Sequence, residues 1–195
     1  MKPNYLQLIV KIAFMAAVAA VVMTFKFATP FAPPFYTIDF SEVIVLLAGF
    51  ALGPVPAIAV EALKILLNLL LNGTATMGIG ELANFLMGCS FVVTASIIYH
   101  KNKTRKQALI GMGVGVVALC VVASLMNYFV LLPAYAYFFN IPMDALIAQS
   151  PITVDNVFTF ILIAVVPFNI LKGIVSSTAV FLVYKKVTPI LKKSI

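Results

Sequence analysis

Six apolar stretches, separated by short breaks rich in proline, glycine or charge, leave this chain very few ways to fold; they cover residues 6 to 26, 41 to 53, 55 to 72, 80 to 99, 108 to 132 and 157 to 184. A run of about 20 apolar residues crosses a hydrocarbon layer of about 30 Å as an α-helix, and only a helix or a closed barrel satisfies its own backbone there. The expected fold is an all-α membrane protein, a six-transmembrane-helix bundle forming one integral-membrane domain over residues 1–195. Each break has a local cause. Pro30, Pro33 and Pro34 stop the first run, Gly53-Pro54-Val55-Pro56 parts the second from the third, and Asn72-Gly73 closes the third. The second run is the shortest and is expected to tilt or to cross incompletely. With a mean hydropathy of +1.13, the chain holds no polar stretch long enough for a separate soluble domain.

Charge orients the bundle. Of the 13 basic residues, Lys2, Lys11, Lys101, Lys103, Arg105, Lys106, Lys185, Lys186, Lys192 and Lys193 fall on one side of a six-span arrangement. Basic residues in short flanking loops mark the cytoplasmic side, so both termini are expected there. The loops at 27 to 40, 73 to 79 and 133 to 156 then face outward, with Asp39, Asp144 and Asp155 but only Lys26 among the bases. This topology accounts for most of the net charge of +7 and leaves no contiguous basic surface for nucleic acid. The first run starts basic, as a signal peptide does, yet it is long and lacks a small-x-small cleavage site, so it is expected to be retained.

Few residues can support catalysis. His100, the single histidine, adjoins the basic loop and reads as a solvated loop residue. Gly78-Ile79-Gly80-Glu81 superficially resembles intramembrane aspartyl chemistry, but a glutamate stands in the aspartate position with no second membrane aspartate, so the segment reads as a loop entering helix four. There is no phosphate-binding glycine loop with its lysine. One histidine and two separated cysteines, Cys89 and Cys120, give neither a metal spacing nor a disulfide framework.

The remaining polar residues lie in or beside apolar helices, where an amide or a charge is costly without a partner or a wet cavity. Asn127 sits near the outer end of helix five, and Asn169 and Lys172 share a face of helix six at i,i+3 spacing. They read either as hydrogen-bonding glue between helices, with Pro167 kinking helix six, or as the lining of a pocket for an uncharged heterocycle rich in hydrogen-bonding groups. The loop Phe31-Ala32-Pro33-Pro34-Phe35-Tyr36-Thr37-Ile38-Asp39 could cover a planar ligand or anchor aromatics at the interface. Glu61 and Lys64, one turn apart, are expected to pair and to brace the scaffold or a partner surface. Glu81 and Asn84 either brace the start of helix four or reach the pocket. On helix one, Ala13, Ala16, Ala17 and Ala20 form two overlapping AxxxA patterns that permit close helix approach, within the chain or to another subunit.

Taken together, Pro33-Pro34-Phe35-Tyr36-Thr37-Ile38-Asp39-Phe40-Ser41, Gly78-Ile79-Gly80-Glu81-Leu82-Ala83-Asn84-Phe85-Leu86, Asn127-Tyr128-Phe129-Val130-Leu131-Leu132-Pro133 and Val166-Pro167-Phe168-Asn169-Ile170-Leu171-Lys172-Gly173 resemble the substrate-binding S components of energy-coupling factor (ECF) transporters, and among them the riboflavin-specific members. The resemblance covers almost the whole chain. It implies a six-helix membrane subunit, not an enzyme and without a cofactor, that captures riboflavin from outside and docks on a transmembrane T subunit driven by two ATPase subunits. It also implies ligand contacts from Thr37, Ile38, Asp39, Asn84, Asn127, Asn169 and Lys172, with Phe35 or Tyr36 shielding the ring. Docking is implied for Ala13 and Ala17, although the overlapping Ala16 and Ala20 leave the register open. A self-sufficient secondary transporter of a small organic solute is the alternative.

Overall fold

A computed structural model describes residues 5–29, 32–33 and 36–192 of the chain, with side chains described as far as Val187. Expectations that rest on Lys2, Pro30, Phe31, Pro34, Phe35 or Lys193 lie outside the described residues. The chain folds into helices α1 (Tyr5–Met23), α2 (Ser41–Leu52), α3 (Pro54–Asn72), α4 (Ile79–Asn102), α5 (Arg105–Met126), α6 (Leu132–Phe139), α7 (Met143–Ile147), α8 (Val157–Phe160) and α9 (Val166–Lys192). Between α1 and α2 the outer loop closes on itself as a two-residue antiparallel ribbon, β1 (Phe27–Ala28) with β2 (Thr37–Ile38), in the register Phe27 to Ile38 and Ala28 to Thr37.

Among the described residues, five helical stretches are long and apolar enough to cross a membrane: α1, α3, α4 and two composite ones, Arg105–Phe139 and Val157–Val187. The twelve residues of α2 reach about 18 Å at 1.5 Å per residue, short of the hydrocarbon thickness. Large apolar side chains such as Phe14, Val55, Leu70 and Val117 are exposed around the bundle, the inversion of a soluble surface that lipid requires.

The fifth helix departs from expectation at its proline, whereas Pro167 lies inside the last helix as expected. Helix five does not stop at residue 132 but passes Pro133 and runs to Phe139. Proline in a helix interior removes one backbone donor and collides with the carbonyl four residues earlier. Here a π-helical turn precedes each proline: Asn127–Leu131 lies before Pro133, and Ile161–Val165 before Pro167. In each the closing bond spans five residues, from Leu132 N–H to Asn127 O and from Val166 N–H to Ile161 O, so the wider turn makes room for the ring. The two π turns pack against each other.

Packing is closest between α4 and α5. A Cβ on Gly111 would meet Ala95 O at 2.6 Å and one on Gly115 would meet Phe91 O at 2.8 Å, so these two glycines let the backbones touch. At the basic end of the bundle, Phe50 stacks on Tyr99 with ring centroids 4.4 Å apart, and Tyr184 closes the cluster edge-on at 5.8 Å from Phe50. His100 belongs to this end and is not a solvated loop residue. Helix α4 continues to Asn102 before Lys103 turns it in the left-handed conformation, which places half-buried His100 in the last turn with Nε2 3.0 Å from Gly49 O. The same carbonyl accepts from Ser96 Oγ at 2.7 Å.

Candidate ligand-binding site

The ends of α1, α3 and α5 and the starts of α4 and α9 surround a cavity of about 360 Å³, roofed by the outer loop. That volume lies in the range of small-molecule sites, about 300–1,000 Å³. Thr37, Asp39, Asn84, Asn127, Asn169 and Lys172 all line it. Ile38 does not; the alternation of β2 turns its side chain into the apolar cluster of Tyr36, Phe160 and Phe168.

The two helix-interior asparagines are set in the same way. Asn127 Nδ2 donates to Ala123 O and Asn169 Nδ2 donates to Val165 O, each at 2.8 Å and each one turn back along its own helix. Both side chains are thereby fixed with their amide oxygens as the remaining acceptors. Asn127 Oδ1 accepts from the hydroxyl of Tyr36, whose ring lies against Phe168 at a centroid distance of 5.1 Å. Burial pushes the Tyr36 hydroxyl far above its ordinary range, with Tyr135 adding to the effect, so it donates as a neutral phenol.

Asp39 ends the loop strand with Oδ1 accepting from Ser41 N–H at 2.8 Å, which fixes the carboxylate at the entry to α2. Burial by itself raises the Asp39 carboxyl, but the charges of Lys172 and Lys64 and the bonds from Ser41 outweigh it and hold the group below its ordinary range. At the opposite wall, Gly78 takes φ 87° to start α4, and Thr76 Oγ1 accepts from Gly80 N–H at 3.1 Å while donating to Glu81 Oε2 at 2.8 Å. Glu81 is thus bonded within this turn and also faces the cavity.

Beneath the cavity lies a charged cluster larger than the Glu61–Lys64 pair expected from spacing. Lys64 Nζ is 2.7 Å from Glu61 Oε2 and 2.9 Å from Glu42 Oε1, with all three side chains buried. Lys172 Nζ is 4.0 Å from the same Glu42 oxygen and donates to Asn84 Oδ1 at 3.3 Å. Alternating signs from α3 through α2 to α9 let four charges remain inside an apolar bundle. Gly88 on α4 makes the space for it, since a Cβ there would lie 2.4 Å from Glu61 Oε1.

Asn68, Asn72 and Tyr135 line the cavity and Glu42 joins the charges beneath it, roles that the sequence reading did not assign to them. Asn68 is buried, lines the cavity and has an Nδ2 without a hydrogen-bond partner, which makes it a ready donor. The signal was present: Glu61, Lys64, Asn68 and Asn72 follow one another at three- and four-residue intervals, a single polar stripe along α3.

Against known proteins, residues 7–184 match the family model described as ECF transporter, substrate-specific component. The chain belongs to this family. The riboflavin transporter RibU of Staphylococcus aureus is 40% identical over 187 residues, covering 95% of this chain and 92% of that protein. The riboflavin transporter FmnP of Bacillus subtilis is 31% identical over 183 residues, covering 93% and 92%. A solved S component of a bacterial ECF transporter superposes with a TM-score of 0.75 at 36% identity, over 97% of this chain and 100% of that one. The protein is therefore the substrate-binding S component of an ECF transporter, a multi-pass membrane subunit and not an enzyme.

Proposed function

We propose that this S component captures riboflavin from outside the cell in the cavity under the outer loop, for uptake driven by a T subunit and two ATPase subunits. The observation that carries the reading is the convergence of Asn127, Asn169, Lys172, Asn84 and Asp39, from four separate parts of the chain, on one cavity whose relatives are named riboflavin transporters. A flavin edge alternates carbonyl acceptors with ring nitrogens, and asparagine amides answer both kinds of group. The Asn169 oxygen and the Asn68 amide would meet the ring edge, Lys172 a carbonyl or ribityl hydroxyl, and Asp39 the hydroxyls. Tyr36 and Phe168 supply aromatic surface against the ring.

Topology supports the direction of capture. The cavity opens where α1 and α3 end and α4 and α9 begin, while Lys101, Lys103, Arg105, Lys106, Lys185 and Lys186 cluster at the opposite end of the bundle. With those bases inside, six spans place both termini in the cytoplasm and the mouth outside. On α1, Ala13 and Ala17 are exposed whereas Ala16 and Ala20 pack into the bundle, which favours the Ala13/Ala17 pair as the face that meets the T subunit.

The test is direct. Purified protein should carry or bind riboflavin, read by quenching of flavin fluorescence, with the phosphorylated form titrated in parallel. Asn127→Ala, Asn169→Ala and Lys172→Ala should each weaken binding by about 10- to 100-fold, as expected for lost hydrogen bonds to a buried ligand. A folded wild-type preparation that does not quench riboflavin fluorescence overturns the assignment.

A further inference from the structure

We propose that Glu42, which touches no part of the cavity, is the positioning residue for Lys172; the inference rests on the reading of that cavity as the riboflavin site. An ammonium group has three donors and no acceptor. Asn84 Oδ1 takes one at 3.3 Å, and Glu42 Oε1 lies at 4.0 Å, too far for a direct hydrogen bond but close enough for an ion pair. Held by the bond to Asn84 and the ion pair with Glu42, the nitrogen keeps an N–H for the cavity that Lys172 lines. Glu42 can serve as an anchor because it is itself anchored: its Oε1 accepts from Lys64 at 2.9 Å, and Lys64 is clamped from behind by Glu61 at 2.7 Å.

A second observation places the carboxylate's other oxygen in the same role. Glu42 Oε2 is buried without a hydrogen-bond partner, and Glu42, Lys172 and Ser176 line a separate void of about 10 Å³ between α2, α4, α5 and α9. That is room for one water molecule, which three polar groups are sufficient to hold. A bridging water there extends the tie between Glu42 and Lys172 by the route that the 4.0 Å gap leaves open. The long, flexible lysine stem is held at both its amide and its carboxylate side, so the direction of its free N–H is set before the ligand arrives.

A double-mutant cycle on riboflavin affinity tests this in detergent-solubilised protein, using Glu42→Gln, Lys172→Met and the pair. Glu42→Gln should weaken binding about tenfold, the scale of one charge-assisted hydrogen bond. In the Lys172→Met background the same change should alter affinity by less than about twofold, because a residue that acts through Lys172 has nothing left to act on. Glu42→Asp keeps the negative charge in the cluster but draws the carboxylate back by one methylene, lengthening the 4.0 Å approach to Lys172, and should give the same non-additive pattern if the glutamine variant does not fold. Losses that multiply in the double variants, or a Glu42→Gln protein that binds as the wild type does, overturn the inference alone. Wild-type protein that binds no riboflavin overturns it together with the proposed function.

Discussion

Gly88→Ala puts the buried charge cluster to a quantitative test. The added Cβ would lie 2.4 Å from Glu61 Oε1, 2.8 Å from its Cδ and 3.1 Å from Glu42 Oε1, against ordinary contact from 3.4 Å, so something must move by about 1 Å. Turning the Glu61 carboxylate away breaks its 2.7 Å contact with Lys64, and breaking a buried ion pair costs about 3–5 kcal/mol. Shifting α4 outward keeps the pair and costs about 1–3 kcal/mol, the usual penalty of an extra methyl in a packed interior. The cheaper route prevails, which sets the expected loss near 1–3 kcal/mol and a melting temperature lower by several degrees. Because the chain has no tryptophan, the melt is followed by circular dichroism in detergent. Gly113→Ala is the control: nothing lies within 4 Å of its Cβ position, so alanine there should be neutral or stabilise the helix by up to about 1 kcal/mol. Equal melting temperatures for Gly88→Ala and wild type would refute the packing of α4 on Glu61.

Lys64→Met should be more damaging than Gly88→Ala, since it strands two buried carboxylates, whereas the triple change Glu42→Gln, Glu61→Gln, Lys64→Met should recover much of the loss; the same melts distinguish the two. The Asp39 carboxyl is held below its ordinary value of 3.8, so its contribution is fully present above that value and is lost as pH falls through the lower folded value; Asp39→Asn should be less stable at neutral pH and should flatten the acid limb of a stability–pH curve below about pH 4. Bulky substitutions on the exposed face of α1, such as Ala17→Leu, should leave riboflavin binding intact and abolish uptake by the reconstituted transporter, measured with labelled vitamin.

Much of the bundle was legible because lipid imposes a simple rule: apolar runs must be helices, and their ends carry the charge. The outer limit of helix five was not, because Pro133 in the sequence signals a break, while the π turn before it carries that proline inside a continuous helix. The pocket amides Asn127 and Asn169 and the cation Lys172 stood out against apolar surroundings. Glu42 did not, since a lone acid at the start of a helix reads as a favourable dipole contact, and its partners Lys64 and Lys172 are distant in sequence. His100 was misplaced for the related reason that its partner, Gly49, is a backbone carbonyl on another helix.

The π turn in the fifth helix also sets a rotational phase. Leu119 and Tyr135 both line the cavity, sixteen residues apart along one continuous helix. At about 100° per residue an unbroken α-helix would point them about 160° apart, on nearly opposite sides. One residue absorbed into the wider turn takes about 100° back and returns Tyr135 to within about 60° of Leu119. Deleting a single residue between Asn127 and Leu131 would close the wider turn, press the Pro133 ring against the preceding turn and swing the whole outer end, Tyr135 included, away from the cavity.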